Sequence, residues 1–201
     1  MRLGVFGGSF DPIHIGHLRL AEVAREAHGL DRVLFVPNQV SPFKTTRHVM
    51  DGALRAEMVR LAIEDNNAFA LSTIELERPG PSYTVDTLRA LQTEYPGAEL
   101  VFVTGMDAVQ GLPSWREPEA ILEMVAFVAA TRPGVTEEEA RESLAHLPET
   151  WRARITFLTM PGLDISSTAL RAKARVGSSI RYLTPGPVVD YIQAHRLYAE
   201  S

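Results

Sequence analysis

Short, continuously apolar runs alternate along this chain with longer segments in which apolar positions recur at helical spacing. Residues 3–6, 32–36, 69–74, 99–104, 124–130 and 155–158 read as buried strands. Between them the apolar positions of 18–25 fall on one face of a helix. The pattern predicts further helices over 51–64, with Asp51 as N-cap and Leu54, Met58, Leu61 and Ala62 on one side, and from Ser82 or Thr84 to about Glu94. A short helix follows Gly105, is interrupted by Leu112-Pro113-Ser114-Trp115-Arg116-Glu117-Pro118, and resumes over 119–123. Residues 136–147 read as a charged, exposed helix capped by Thr136 with Glu139 three positions on. Helices over 166–175 and 187–195 close the chain. Residues 38–50 form a polar loop interrupted by proline, and 77–82 are rich in turn formers.

Apolar strands that are not alternating, separated by helices, predict a sheet covered on both faces. The fold class is therefore α/β: a Rossmann-like doubly wound, mostly parallel sheet with helices on both faces and a small helical C-terminal region over about 165–201. No repeat, low-complexity tract or long linker divides the chain, so 1–201 reads as one domain. Such sheets bind ligands at the carboxyl ends of their strands. The chemically suggestive stretches all follow a strand: 7–17, the loop at Pro37, 78–83, 105–107, Arg132 and 165–171. They should meet on one rim.

The first of these is Gly7-Gly8-Ser9-Phe10-Asp11-Pro12-Ile13-His14-Ile15-Gly16-His17. Glycines at a strand exit let backbone N–H groups approach a ligand, and a helix start offers unpaired N–H groups and a positive dipole end to phosphate. His14 and His17, three apart, share a helix face and can donate hydrogen bonds there. A second stretch, Ile165-Ser166-Ser167-Thr168-Ala169-Leu170-Arg171, sets three hydroxyls at a helix start. Ser166 can cap; Ser167 and Thr168 can donate to phosphate oxygens; Arg171 can fork onto a phosphate.

Composition narrows the classes. With 201 residues, 45% of them hydrophobic, the chain can bury a substantial core. A net charge of −5 argues against a surface that coats nucleic acid. Cysteine is absent, which excludes disulfides, thiolate metal sites and a thiol nucleophile and fits reducing cytoplasm. The first strand begins too early for a signal peptide, and no apolar run is long enough to span a membrane. Lys44 and Lys173 are the two lysines, so most positive charge is arginine. P-loop, dinucleotide-fingerprint, zinc-helix and nucleophile-elbow motifs are all missing.

His14-Ile15-Gly16-His17 resembles the first signature of the nucleotidyltransferase superfamily, and Ile165-Ser166-Ser167-Thr168-Ala169-Leu170-Arg171 its second. Arg78 to Leu88, Gly105-Met106-Asp107, Leu112-Pro113-Ser114-Trp115 and Arg132-Pro133-Gly134 together resemble bacterial nicotinate-mononucleotide adenylyltransferases, from Arg2 to about Tyr198. The resemblance implies ATP contacts at Gly7, Gly8, Ser9, Phe10, His14, His17, Gly105, Asp107, Ile165, Ser166, Ser167, Thr168 and Arg171. It implies that His14, His17, Lys44 and Arg171 act on the transferring phosphates. Lys44, Tyr83, Thr84, Trp115, Arg116 and Arg132 would serve the mononucleotide: Trp115 stacks on the pyridine ring, the backbone N–H groups of Thr84 and Arg116 hold its carboxylate, and Arg132 meets its phosphate. The loop Ser41-Pro42-Phe43-Lys44 departs from the family's Pro-Pro-His-Lys, and Arg116 stands where an aromatic is frequent. An Arg116 side chain facing the carboxylate would strengthen preference for the acid.

The implied reaction joins ATP to nicotinate mononucleotide and releases pyrophosphate. Mg²⁺ would be held by phosphates and water, with no metal ligands from the protein. Neither nucleic acid nor a membrane is an expected partner, and a homo-oligomer is compatible with the sequence. Rival readings are another transferase of the superfamily, such as the phosphopantetheine enzyme, a non-catalytic nucleotide sensor, and a flavodoxin-like FMN binder. The Ser82-Tyr83-Thr84 loop and Trp115 weigh against the first, and the two signatures against the second.

Overall fold

Six strands pair in the order β3-β2-β1-β4-β5-β6, and every pairing is parallel. They are β1 (Arg2–Gly8), β2 (Arg32–Pro37), β3 (Phe69–Leu71), β4 (Glu99–Gly105), β5 (Val125–Thr131) and β6 (Ile155–Thr159). The computed structural model describes residues 1–42, 49–131, 134–159 and 163–199. Its α-helices are α1 (Ile15–His28), α2 (Gly52–Ile63), α3 (Thr84–Glu94), α4 (Met106–Gln110), α5 (Pro118–Met124), α6 (Glu137–Ser143), α7 (Glu149–Arg152), α8 (Ser167–Arg175) and α9 (Gly186–Ala194). Among the described residues no helix is long and apolar enough to cross a membrane.

Both faces of the sheet are dry, which is why its strands read as unbroken apolar runs. Leu3, Val5, Leu100 and Phe102 point into one core with Val85, Leu88 and Ile121. Their neighbours Phe6, Val101 and Val103 point into the other with Ala21, Met58 and Val189. Successive side chains of a strand face opposite ways, so each run feeds two cores.

Several local expectations need correction. β3 stops at Leu71 rather than 74, because Thr73 to Glu77 turn away through hydrogen bonds to the Thr73 carbonyl. The buried face of α2 is rotated from the expected one: Arg55, Ala56, Met58, Val59, Ala62 and Ile63 are buried, whereas Leu54 and Leu61 are only half-buried. α3 is capped by neither Ser82 nor Thr84; its N-cap is Tyr83, without a side-chain cap. α6 is shorter than 136–147, and its Ala140, with Leu144 and Leu147 beyond, is buried in the core. The Thr136–Glu139 capping box and the Asp51 cap form as read.

β1 and β4 lie side by side, and the chain leaves them toward opposite edges of the sheet. The crevice beyond their carboxyl ends is the switch point of the fold. The loops after β1, β2, β3 and β6 border it.

Candidate active site

Beyond that crevice lie two cavities, of about 220 and 130 Å³, with Ser9 in the wall of both. The smaller is lined by Ser9, Phe10, Asp11, His17, Val49, Ser167, Thr168 and Arg171. The larger is walled by Gly7, Gly8, Asn38, Glu75, Thr84, Thr104 and Trp115, among others.

His14 is not helical: it is the N-cap of α1, in extended conformation, and His17 sits at the third helical position. This brings the two rings into a stack, centroids 3.6 Å apart and tilted by 22°. The backbone N–H of His14 donates to His17 Nδ1 at 3.2 Å. A neutral His17 therefore carries its proton on Nε2. His14 is buried, its Nδ1 without a hydrogen-bond partner among the described residues, and desolvation lowers its pKa to about 4. At neutral pH it is uncharged, and two stacked imidazolium ions are avoided. A Cβ on Gly16 would lie 3.1 Å from the His14 ring, so the small residue between the histidines makes room for the stack.

Phe10 holds the turn before them. It adopts φ 46°, strained for a residue with a side chain. Its buried ring meets His17 edge-on at 5.2 Å and Phe6 at 5.5 Å. Gly8 allows this, since a Cβ there would stand 2.9 Å from Phe10 Cζ.

The second signature is folded against the first. Ser166 caps α8 by accepting from the Ala169 N–H at 3.2 Å, as expected. Ser167 instead donates to the Pro12 carbonyl at 2.9 Å, so its hydroxyl staples the loop rather than pointing freely at a ligand. Arg171 donates to the Asp11 carbonyl at 2.5 Å and to Thr168 at 3.3 Å. Ile165 is half-buried beside the second core.

Arg55 was not anticipated. It is 1% exposed and donates to three carbonyls, of Ser9, Asn38 and Met50, at 2.7 Å each. It thus ties both ends of the β2–α2 loop to the loop after β1. Asp11 is the neighbouring hub: it accepts from the Tyr198 hydroxyl at 2.7 Å and from the Met50 N–H at 3.4 Å. Burial beside Asp11 holds the Tyr198 phenol well above its usual range. The visible signal for Arg55 is an arginine inside the stripe that continues through Met58, Val59 and Ala62.

In the larger cavity, Trp115 stands edge-on to Phe102 and Phe127, at 5.9 and 6.2 Å. Thr84 opens α3 beside it, and among the described residues neither the Thr84 nor the Arg116 backbone N–H makes a hydrogen bond. The Arg116 side chain lies over the Tyr83 ring at 4.9 Å and within 3.5 Å of Asp86 and 3.6 Å of Glu117. Those contacts engage the guanidinium with protein carboxylates rather than turning it solely to a ligand. Tyr83 supports Arg116 and does not line the cavity. Gly105 and Asp107, exposed at the end of β4, line neither cavity among the described residues. Phe43, Lys44 and Arg132 lie outside the described residues. Among the described residues no group of three or more His, Cys, Asp or Glu is placed to hold a metal ion.

A cytidylyltransferase-like family model matches residues 5–173. A probable nicotinate-nucleotide adenylyltransferase of Symbiobacterium thermophilum is 46% identical over 197 residues, covering 98% of this chain and 95% of that protein. One from Thermus thermophilus is 45% identical over 198 residues, covering 98% of this chain and all of its own. Among solved structures, Plasmodium falciparum nicotinic acid mononucleotide adenylyltransferase complexed with NaAD superposes with a TM-score of 0.76 at 20% identity, covering 98% of this chain and 97% of that one.

Proposed function

Because the chain belongs to the cytidylyltransferase-like family, and within it to the nicotinate-nucleotide adenylyltransferases, we propose that it transfers the adenylyl group of ATP to nicotinate mononucleotide. The products are nicotinate adenine dinucleotide and pyrophosphate. The observation that carries this reading is the pair of cavities meeting at Ser9, one holding His17 and Arg171 and the other Trp115.

The nucleophile is a phosphate monoester, about doubly ionised at neutral pH because its second pKa is near 6. It needs no general base, and the sequence carries no nucleophile-elbow or other nucleophile motif. The obstacle is repulsion between two anions together with charge growing on the departing pyrophosphate; positioning and fixed positive electrostatics remove it. His17 Nε2–H donates to the α-phosphate, where charge develops as the leaving group departs. Its neighbour His14, uncharged and stacked on it, holds the ring and its tautomer. Arg171 carries five N–H donors, more than its contacts with Asp11 and Thr168 use, and turns the rest to the triphosphate. Lys44 adds a further cation, and Gly7, Gly8 and the start of α8 admit phosphate oxygens closely.

The pyridine ring stacks on Trp115, with its carboxylate on the Thr84 and Arg116 N–H groups, and Arg132 takes the mononucleotide phosphate. Gly105 and Asp107 serve the ATP ribose from the end of β4. A Mg²⁺ ion, a hard cation that keeps several waters, would arrive on the ATP phosphates and neutralise them without a protein cage. The test is pyrophosphate release from ATP with each pyridine mononucleotide. Turnover of the acid with kcat/KM well above that of the amide is expected, because the amide leaves carboxylate-binding N–H groups unpaired. Equal values would reject the carboxylate site, and no turnover would reject the reaction.

A further inference from the structure

Glu75, seven per cent exposed, lies in the wall of the same cavity as Trp115. It follows the short edge strand β3, in a stretch that neither signature includes. Thr87 of α3 donates its hydroxyl to Glu75 Oε1 at 2.6 Å and receives Arg78 Nη2 at 2.9 Å. Ser82 accepts the Gln39 N–H at 3.0 Å beside the same cavity. The Thr87 hydroxyl thus presents its hydrogen to the carboxyl, as to an ionised acid.

Among the described residues, Glu75 has no ion-pair partner; Arg78 reaches it only through the Thr87 hydroxyl. Burial raises its pKa against the pull of the Thr87 hydroxyl and of Arg78. A buried carboxylate whose nearest cation stands behind a hydroxyl, with no direct ion pair, is only partly compensated. A fold that keeps one at a cavity wall is matched to a ligand that brings the cation.

Resting on the acceptor assigned above, we propose that Glu75 is a specificity-determining residue whose carboxylate offsets the positive charge of the N-glycosylated pyridinium ring stacked on Trp115. The acceptor is then recognised as a zwitterion. Its acid group meets open N–H groups at the start of α3, and its ring cation meets the acid behind that helix. Neutral rings of the same shape, such as a carbon-linked isostere, leave Glu75 without its counter-charge.

The test compares two acceptors in pyrophosphate release: nicotinate mononucleotide and its isostere with a neutral ring, the carbon-linked 3-carboxyphenyl riboside 5′-phosphate. The parent protein should favour the cationic ring by about tenfold or more in kcat/KM, as expected when each ~1.4 kcal/mol changes a constant tenfold. Glu75→Gln keeps an acceptor for the Thr87 hydroxyl and removes the charge, and should abolish most of that preference. Glu75→Asp keeps the charge and should retain it, even where both rates fall. A Gln variant with the parental ratio, or Asp and Gln variants lowering it equally, would overturn the proposal. A parent indifferent to ring charge would overturn it without any variant. A parent that turns over neither acceptor would overturn the adenylyl-transfer reading itself.

Discussion

The two cavities are built by different means. Around the smaller one, side chains are bonded to backbone carbonyls far away in sequence: Arg55 to Ser9, Ser167 to Pro12, Arg171 to Asp11 and Thr184 to Ile13. The loop after β1 is held at nearly every peptide by a donor from α2 or the C-terminal region. The larger cavity is shaped by the open end of α3, an aromatic cluster and one buried acid. On the proposed assignment, the smaller cavity takes the phosphates and is held before any ligand arrives, where charge must be stabilised without reorganisation. The larger would take the acceptor and leaves groups for the substrate to satisfy, which is how a site rejects near-isosteres.

The sharpest way to break this contrast is Arg55→Met. It strips three carbonyls of their donor and leaves Asp11 short of a buried cation, so stability should fall by about 4 kcal/mol, as for one partner removed from a buried charged network. Denaturant unfolding measures it. Arg55→Lys should rescue little, since one ammonium lacks the planar reach of the guanidinium. A loss under ~1 kcal/mol would mean that the loop is held by other means.

His14 gives a second handle on the same region. Its folded pKa of about 4 lies below the unfolded 6.5, so the unfolded chain binds the extra proton between those values. Its contribution to stability is therefore full above pH 6.5 and is lost as pH falls toward 4, by roughly 3 kcal/mol. The parent minus His14→Gln difference in unfolding free energy should show that slope, and a flat difference would place His14 in water.

His17→Ala should lower kcat by about 10²-fold while the KM for ATP changes little, as for a lost transition-state donor. Steady-state kinetics decide it: unchanged turnover would remove His17 from the chemistry. The smallest effect belongs to the other cavity. Trp115→Ala should raise the acceptor KM roughly tenfold through lost stacking, leaving the ATP KM alone. A change in the ATP KM instead would show that the cavities are not separate in role.

The same contrast explains what could be read from the chain beforehand. Strands, the Asp51 and Ser166 caps and both histidines are local signals, set by neighbours within a few residues. The parallel order follows from strands buried on both faces. Arg55 was hidden because a helix wheel treats an arginine as solvent-facing, and its three acceptors come from distant loops. Ser167 and Arg171 were assigned wholly to phosphate because nothing near them announces Pro12 and Asp11. Glu75 sits in a turn-rich stretch where a carboxylate reads as surface, and its surroundings come from α3, whose Thr87 lies twelve residues on.

The most direct test is a crystal structure with nicotinate adenine dinucleotide bound. The pyridine ring should lie against Trp115 in the larger cavity, and the pyrophosphate bridge should pass Ser9 to reach His17 and Arg171. A dinucleotide bound outside these cavities, or reversed with adenine on Trp115, would contradict this placement.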